Sequence, residues 1–345
     1  MARRQAAGEL IETGHPLMAA PALPPGVLSL HVLPAEHHDK DWDSIIVPAG
    51  VKERLLGQAL LTLKHGRKLA QLAGLPHGLV VLAGPPGTGK TTLARGLAQV
   101  SSSALAKEGA TTLVEVNPHA FPSDMLGESQ RNIMRLLSDT IPEIAARRPF
   151  TVVLIDEVES FAVRRSAASF ETNPVDVHRA TDAVMLGIDE VSRKLPRVLF
   201  VTTTNFIDAI DEAFLSRADL VMHFALPDPG TIERILHDSL AELAVQFPAL
   251  KSLSADENHV REVAKLCGGW SGRQVRKLVL AALAQRLEVA KNPELLTFDD
   301  LREAARKRGG VEWVGAAAPS AKELVGAVPK ELMHDHDHGH GHHHN

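Results

Sequence analysis

Residues 79–92 read LVVLAGPPGTGKTT, and this stretch decides the fold. The pattern G-x-x-x-x-G-K-[ST] is met by Gly84, Gly89, Lys90 and Thr91, after a short apolar run and before the helix-compatible LARGLAQV. Glycines let such a loop turn tightly, so that its backbone N–H groups can surround phosphate oxygens. The alternative is a glycine-rich turn between a strand and a helix. It is disfavoured because every fixed position of the motif is met in the expected context.

Each polar residue type in this loop suits one part of a bound nucleoside triphosphate or its metal ion. Lys90 would place a positive charge at the β- and γ-phosphates, and the Thr91 hydroxyl would take one position on Mg²⁺. The N-terminus of the next helix would add its dipole. We therefore expect ATP and Mg²⁺ to bind here. The predicted cofactor-binding residues are Gly84, Pro85, Pro86, Gly87, Thr88, Gly89, Lys90, Thr91, Thr92, Asp156 and Arg273.

Length and composition exclude several classes of protein. The chain has 345 residues, of which 44% are hydrophobic and 23% charged, as in ordinary globular proteins of one or two domains. The net charge of −5 does not indicate a basic surface for binding nucleic acid, although an assembled ring with a basic pore is compatible with this overall charge. Cys267 is alone, so no internal disulfide forms. No apolar run is long enough to span a membrane, and no signal peptide is recognisable, so we expect a cytoplasmic protein.

Five short apolar runs predict the strands of an α/β domain over residues 41–228. After the first run, before the glycine loop, come 112–116, 151–155, 198–203 and 220–224. Continuous β-branched runs separated by helical segments are typical of parallel strands buried on both faces. We expect a five-stranded parallel sheet flanked by helices. One of these helices begins at Val51 and buries a stripe that includes Leu55, Ala59 and Leu63.

The rest of the chain divides into three segments. Residues 1–40 are expected to be a flexible N-terminal arm, because prolines occur there among alanine and glycine. Residues 229–310 predict a small all-helical lid domain with helices at 231–246, 257–267, 271–290 and 297–307, and Thr297 with Asp300 resembles a helix-start box. Residues 311–345 form a His-rich tail that we expect to be flexible. Its histidines could bind Zn²⁺ or Ni²⁺, but a solvated tail with incidental metal affinity is the favoured interpretation.

Two carboxylates follow the third predicted strand, Val152–Ile155. An apolar strand that ends in Asp-Glu delivers both side chains to the carboxyl edge of the sheet. Asp156 is placed to hold the Mg²⁺ hydration shell, and Glu157 to orient and deprotonate the attacking water. Acidic residues that merely end a strand are the alternative. The glycine loop about 65 residues upstream makes that alternative unattractive.

Three further polar side chains complete the predicted catalytic set of Glu157, Lys90, Asn205, Arg217 and Arg273. Asn205 ends the fourth strand, where a neutral amide can hold the water or the γ-phosphate without competing for the metal. Arginine suits the charge that develops on the phosphate oxygens. Arg217 is expected to reach a neighbouring subunit's nucleotide, and Arg273 the subunit's own nucleotide from the lid. Taken singly, each arginine would more often be a surface ion-pair residue.

The ordered set of phosphate loop, Asp-Glu strand, Asn-ended strand, arginine and helical lid resembles an AAA+ ATPase. More closely, the chain resembles the pachytene-checkpoint, thyroid-receptor-interactor branch, and its compact form resembles the bacterial members found in antiphage (CBASS) systems. The segments that carry this resemblance are HVLPA at 31–35, WDS at 42–44, LIDEVES at 154–160, NP at 173–174, RA at 179–180, TN at 204–205, ID at 210–211, AF at 213–214, RAD at 217–219, SGR at 271–273 and RKL at 276–278.

The resemblance implies an activity and a partner. Members of this branch are hexameric rings that use ATP hydrolysis to unfold or disassemble complexes of HORMA-domain proteins, and bacterial members act in antiphage signalling. The matching pore position implies that Met125 and Leu126 grip the client polypeptide. An ordinary buried pair before the helix at 129–137 is the alternative. In this family the position of Met125 is usually aromatic, and only Arg217 is clearly placed in the finger region.

Two rival hypotheses remain open at this stage. The first keeps the ATPase and changes the client, as in Rubisco-activase-like or filament-disassembling proteins. The second is a nucleotide-gated scaffold or metal-handling protein in which the His-rich tail carries the function. Glu157 and Arg217 argue against the scaffold, because a protein that only binds nucleotide has no need of a catalytic base.

Overall fold

The computed structural model describes residues 23–71, 77–117, 128–160 and 174–307, with the side chains of residue 129 and residues 174–179 not described. Residues 1–22 of the expected arm, the pore residues Met125 and Leu126, and the His-rich tail lie outside the described residues. The chain forms two compact units. Of the described residues, the first contains those from 23 to 235 together with Gly269–Arg273, and the second contains Leu236–Gly268 and residues 274–307.

The first unit is built on a six-stranded sheet. Its strands are β1 (Val27–Leu33), β2 (Leu79–Ala83), β3 (Thr111–Val116), β4 (Phe150–Ile155), β5 (Val198–Thr204) and β6 (Leu220–His223), in the order β1-β3-β4-β5-β2-β6. All five predicted strands are present and pair in parallel with one another. The predicted α/β fold is therefore confirmed. Every residue of β2 to β5 is buried, because helices cover both faces.

The sheet differs from the expectation at one edge. Strand β1 pairs with β3 in antiparallel fashion, so the sheet has six strands and is mixed. This strand lies inside residues 1–40, where a flexible arm was expected. Leu30 packs against one apolar cluster of the unit and Leu33 is buried in the other. The strand reads VLSLHVL, with five apolar residues in seven, but the prolines at 21, 24 and 25 just before it favour an extended arm, so the strand was not predicted.

Helices lie between the strands and continue after the last strand. They are α1 (Asp41–Ser44), α2 (Val51–Leu69), α3 (Lys90–Leu105), α4 (Glu128–Arg135), α5 (Ile141–Ala145), α6 (Pro174–Lys194), α7 (Glu212–Leu215), α8 (Pro229–Gln246), α9 (Lys251–Ala255), α10 (Glu257–Leu266), α11 (Gly272–Leu283), α12 (Leu287–Lys291) and α13 (Phe298–Arg306). A π-helical turn, Leu136–Thr140, joins α4 to α5.

The two faces of the sheet carry separate apolar clusters. Leu79 and Val81 pack in one cluster with residues of α4, α5 and α6, whereas Val80 and Leu82 pack in the other with α2 and α3. This alternation along β2 follows from the two-residue period of a strand. It places α3, the helix after the glycine loop, directly on the sheet. Within the described residues, no helix is both long and apolar enough to cross a membrane.

The second unit is helical, as predicted, with one correction. Of α11, the predicted residues Val275, Leu278, Val279 and Ala282 are the buried ones, and Thr297 forms the expected capping box with Asp300. The single helix expected at 271–290 is instead α11 and α12, separated at Arg286, whose backbone is extended. The Arg286 guanidinium donates to both carboxylate oxygens of Asp300, at 2.7 and 2.9 Å. This ion pair stabilises the extended backbone at Arg286, although the residues around it are good helix formers.

Candidate nucleotide site

The glycine loop lies at the carboxyl edge of the sheet, between β2 and α3. Gly84 has a φ of 146°, and a Cβ there would lie 2.1 Å from the carbonyl oxygen of Phe224. Gly87 has a φ of 78°, and its Cβ would lie 2.6 Å from the Ser271 hydroxyl. Both positions therefore require glycine for the backbone angle and for the close approach of another chain segment.

Lys90 is the first residue of α3, and its ammonium group is almost fully enclosed. The residue is 5% exposed. Its Nζ donates to the carbonyl oxygens of Gly84 at 2.7 Å and Pro85 at 2.9 Å, and to Oδ1 of Asn205 at 3.0 Å. Burial lowers the pKa of Lys90, while the carboxylates of Glu159 and Asp156 act in the opposite direction. The loop carbonyls hold this cation at the mouth of the loop.

Asp156 and Thr91 meet at the same edge. The Thr91 hydroxyl donates to Oδ1 of Asp156 at 2.7 Å, and the Thr203 hydroxyl also donates to that oxygen. Ile155 pairs with Thr202 in the parallel register, which brings the ends of β4 and β5 together. A hydroxyl and a carboxylate oxygen in contact form the hard oxygen donor set that Mg²⁺ prefers. The residues present therefore fit a magnesium ion.

Glu157 has the only positive φ among the described non-glycine residues, at 55°. Its N–H donates to the Thr203 hydroxyl at 3.1 Å, and its Oε1 accepts from Nδ2 of Asn205 at 3.2 Å. A non-glycine residue in the left-handed region is strained, and such strain is found most often at functional sites. Asn205 joins Glu157 to Lys90 through its two amide atoms. Three of the predicted catalytic residues therefore belong to one hydrogen-bonded chain.

Glu159 belongs to the same group, although it was not predicted as a site residue. Its Oε1 accepts from the backbone N–H of Asn205 at 3.0 Å, and its Oε2 is buried with no hydrogen-bond partner among the described residues. It lies in the 3₁₀ turn Val158–Ser160, and its charge raises the pKa of Lys90. A third acidic residue within LIDEVES was the available signal. Sequence spacing alone does not say that the chain turns back toward Asn205.

Arg273 reaches the loop through its backbone. Its N–H donates to the Gly87 carbonyl at 3.0 Å, and Ser271 lies against the same glycine. Residues 269–273 belong to the first unit, although they precede and begin α11. The Arg273 charge acts on Lys90, where it lowers the pKa of the ammonium group. The predicted residue is therefore beside the phosphate loop.

Arg217 is not part of this group. It follows α7, and its Nε and Nη2 each donate to an oxygen of Asp189 on α6, both at 3.0 Å. Its Nη1 also donates to the Ala213 carbonyl at 2.7 Å. The nearby Asp219 carboxylate accepts from the backbone N–H groups of Gly78 at 2.7 Å and Leu79 at 3.3 Å, which anchors the start of β2. The RAD segment thus joins α6 and β2 within one chain.

Comparisons with known proteins agree with this geometry. Residues 80–226 match the family model of the ATPase family associated with various cellular activities (AAA). The chain is 43% identical to CD-NTase-associated protein 6 of Pseudomonas aeruginosa over 286 residues, which cover 83% of this chain and 93% of the relative. It is 33% identical to the pachytene checkpoint protein 2 homolog of Danio rerio over 277 residues, or 74% of this chain and 65% of the relative. The solved E. coli MS115-1 HORMA:CdnC:Trip13 complex contains a chain with a similar fold, with a TM-score of 0.64 at 20% identity over 84% of this chain and 97% of that one.

Proposed function

Because this chain belongs to the AAA family of ATPases, in the branch of CD-NTase-associated protein 6 and the pachytene checkpoint protein 2 homologues, we propose that it is a hexameric remodeller. It hydrolyses ATP to unfold or disassemble complexes of a HORMA-domain protein. In the cell this activity regulates antiphage signalling in the cytoplasm. The observation that carries the proposal is the hydrogen-bonded chain from Lys90 through Asn205 to Glu157 at the phosphate loop.

The loop residues hold the triphosphate. Gly84 to Gly89 leave room for backbone N–H groups to approach phosphate oxygens, and Lys90 exchanges its loop carbonyl partners for the β- and γ-phosphates. Thr91 and Asp156 would hold Mg²⁺, which neutralises charge on the phosphate oxygens when bound. Burial of Lys90 strengthens its attraction for an anion, because little water competes for the ammonium group.

Glu157 acts as the general base. Its carboxylate orients the attacking water and accepts a proton from that water. This role requires the carboxylate to lie within hydrogen-bond reach of the water. Asn205 fixes the position of that carboxylate and presents its other amide atom toward Lys90. Glu159 holds the backbone of Asn205 and is a positioning residue. Arg273 stabilises the charge that develops on the γ-phosphate from within the same subunit.

Arg217 supplies the corresponding charge to the nucleotide of the neighbouring subunit. Its guanidinium lies away from the loop of its own chain, on Asp189, so it could serve the reaction only from an adjacent protomer. This role requires an adjacent protomer, and the hexamer is proposed from the resemblance to the pachytene-checkpoint branch. Met125 and Leu126 remain predicted pore residues that grip an extended segment of the client.

The client is proposed from the relatives. The E. coli Trip13 chain is found in a complex with HORMA and CdnC, and the Pseudomonas relative is CD-NTase-associated. The match to that relative covers 93% of its length and 83% of this chain. We therefore expect a HORMA protein that activates a nucleotide-making enzyme to be the substrate of remodelling. Its disassembly would keep the antiphage signal off.

A substrate trap tests this proposal. The Glu157→Gln variant should bind ATP without hydrolysing it, and so retain its client for identification by mass spectrometry after capture from source-cell lysate. Lys90→Ala is the matched control, because it should bind neither ATP nor client. A HORMA-domain protein retained only by Glu157→Gln supports the proposal. Retention of a Rubisco or a filament subunit instead would show that the client is that protein and not a HORMA-domain protein. Normal ATP turnover by Glu157→Gln would refute the assignment of Glu157 as the general base.

A further inference from the structure

Three histidines at the β1 edge of the sheet lie close together. His31 is on β1, and His37 and His38 are on the short 3₁₀ turn Glu36–His38 that follows it. Their ligand nitrogens all lie within 4.8 Å of one another. The ring centroids of His37 and His38 are 4.0 Å apart, and those of His31 and His37 are 4.8 Å apart. No part of the proposed ATPase mechanism uses these side chains.

His38 provides a second, independent observation that points to a ligand. The residue is 5% exposed, and its Nε2 is buried with no hydrogen-bond partner among the described residues. Its Nδ1 lies 2.8 Å from Oδ2 of Asp41. A carboxylate accepts a hydrogen bond from Nδ1–H, so in the neutral ring this contact leaves the lone pair on Nε2. A histidine held by a carboxylate on one nitrogen and left open on the other is the usual arrangement of a metal-binding histidine.

The surroundings of His31 favour its neutral form. Burial lowers the pKa of His31, and the neighbouring His37 and His38 lower it further, because three imidazolium ions at this separation would repel. Metal binding needs neutral imidazole and is opposed by protonation.

We propose that His31, His37 and His38 form a binding site for a divalent transition-metal ion, with Zn²⁺ as the expected occupant. The donors are three imidazole nitrogens, which suit Zn²⁺, Cu²⁺ and Ni²⁺ and not the oxygen-seeking Mg²⁺ or Ca²⁺. Bonds of about 2.0–2.1 Å to Zn²⁺ require the nitrogens to approach to roughly 3.4 Å. The exposed His37 can make most of that movement, and it also provides the path of entry. The fourth tetrahedral position is left for water.

The site would fasten the β1 edge to the helix of the phosphate loop. The segment that carries His37 and His38 is already attached to α3, because Gln99 donates to Asp39 at 2.6 Å and accepts from the Ala35 N–H at 3.0 Å. A metal held between β1 and this segment closes a connection from the sheet edge to α3. The ion would therefore stabilise the first unit near the nucleotide site and take no part in hydrolysis.

The experiment has to separate this site from the His-rich tail. We would use the full chain with the seven tail histidines (His334, His336, His338, His340, His342, His343 and His344) replaced by asparagine. Zn²⁺ binding would be measured by calorimetry at pH 7.5 without nucleotide, and the bound metal counted by elemental analysis after dialysis. We expect one Zn²⁺ per chain and a higher Tm in its presence.

Variants of the cluster decide the outcome. His37→Ala changes an exposed residue, so it should fold normally and lose the Zn²⁺-dependent rise in Tm together with the bound metal. His38→Ala should lose binding as well, and Asp41→Asn should weaken it by about 10–100-fold, because it removes the carboxylate that orients His38. His65→Ala, on the exposed side of α2, is the matched control and should bind as the parent does. Binding that survives His37→Ala, or a parent that binds no Zn²⁺, overturns the proposal.

Discussion

At the residue scale, Glu157 shows how local backbone geometry and chemistry are joined. Glu157 lies two residues after the end of β4 and has a φ of 55°. Its N–H donates to the Thr203 hydroxyl, and its carboxylate accepts from the Asn205 amide. Neither contact could form if the chain continued as a regular strand. The side chain is thus fixed at the sheet edge before any substrate is bound, which is the geometry that a general base requires.

Substitution of this carboxylate should separate binding from turnover. Glu157→Gln keeps the shape and the hydrogen bond from Asn205 but cannot accept a proton, so we expect ATP hydrolysis to fall by about 10²–10⁴-fold with nucleotide affinity retained. Lys90→Ala should lose nucleotide binding itself. Steady-state hydrolysis and fluorescent-nucleotide titration measure the two effects. Glu53→Gln, an exposed change on α2, should alter neither quantity.

Cys267 gives a pH-dependent prediction at the same scale. Burial raises the pKa of its thiol to about 11, and its Sγ contacts the Val263 carbonyl at 3.4 Å. The unfolded thiol ionises near 9, so the folded state retains its proton over the range between these values. The stability that this residue contributes is complete below pH 9 and is lost as the pH rises toward 11.

The comparison of wild type with Cys267→Ala isolates this effect from other groups that titrate at high pH. We expect the difference in free energy of unfolding between the two proteins to shrink between pH 8.5 and about 10.5. Urea denaturation at each pH provides the measurement. A difference that is independent of pH would mean that the thiol ionises equally well in the folded protein.

At the element scale, two glycines inside helices show how packing overrides helix propensity. Gly57 in α2 is exposed, and a Cβ there would meet nothing within 4 Å. Gly96 in α3 is buried, and its Cβ would lie 2.5 Å from the backbone nitrogen of Trp42 in α1. The two helices therefore use the same residue type for different reasons.

Alanine at these two positions should have opposite effects on stability. Gly57→Ala should stabilise the protein by about 0.5–1 kcal/mol, because alanine loses less backbone entropy in a helix. Gly96→Ala gains the same propensity but forces α1 away from α3, and we expect a net loss of about 1–3 kcal/mol. Urea denaturation followed by circular dichroism tests both. Equal stabilisation by the two substitutions would show that α1 adjusts without cost.

At the scale of the whole molecule, the question is whether one chain can complete its own active site. Lys90, Asp156, Glu157, Asn205 and Arg273 lie around one loop, whereas Arg217 is held by Asp189 elsewhere in the same unit. If Arg217 serves a neighbouring subunit, its loss should leave assembly intact and lower hydrolysis by about 10³-fold or more. Light scattering and an ATPase assay measure these two properties.

Mixed rings test whether this arginine acts between subunits. Arg217→Ala subunits keep their base and Glu157→Gln subunits keep their arginine, so a mixture should recover part of the activity that each lacks alone. The double variant Arg217→Ala/Glu157→Gln supplies neither group and should recover none. Asp189→Asn removes the charge that pairs with Arg217 but keeps the arginine, so it distinguishes the effect of losing the ion pair from the effect of losing the arginine. If it lowers activity as much as Arg217→Ala does, and mixing restores nothing, the arginine is structural.

The sequence by itself determined the parts of this protein that depend on local pattern. The glycine loop, the five parallel strands and the buried face of α11 follow from motif spacing, from continuous apolar runs and from an apolar period of 3.6, because neighbouring residues alone create these patterns. Asp156, Glu157 and Asn205 were predictable for the same reason. Parallel strands end at one edge, so residues that follow them meet there.

Only the tertiary structure decided the features that depend on contacts between distant segments. Strand β1 exists because β3 offers it an edge, and the break at Arg286 exists because Asp300 lies opposite. Glu159 was missed because the turn after Asp156 directs it back toward Asn205, and the three histidines became a cluster only when β1 and the following turn folded together. These contacts are set by the summed packing of the first or second unit, which no local pattern records.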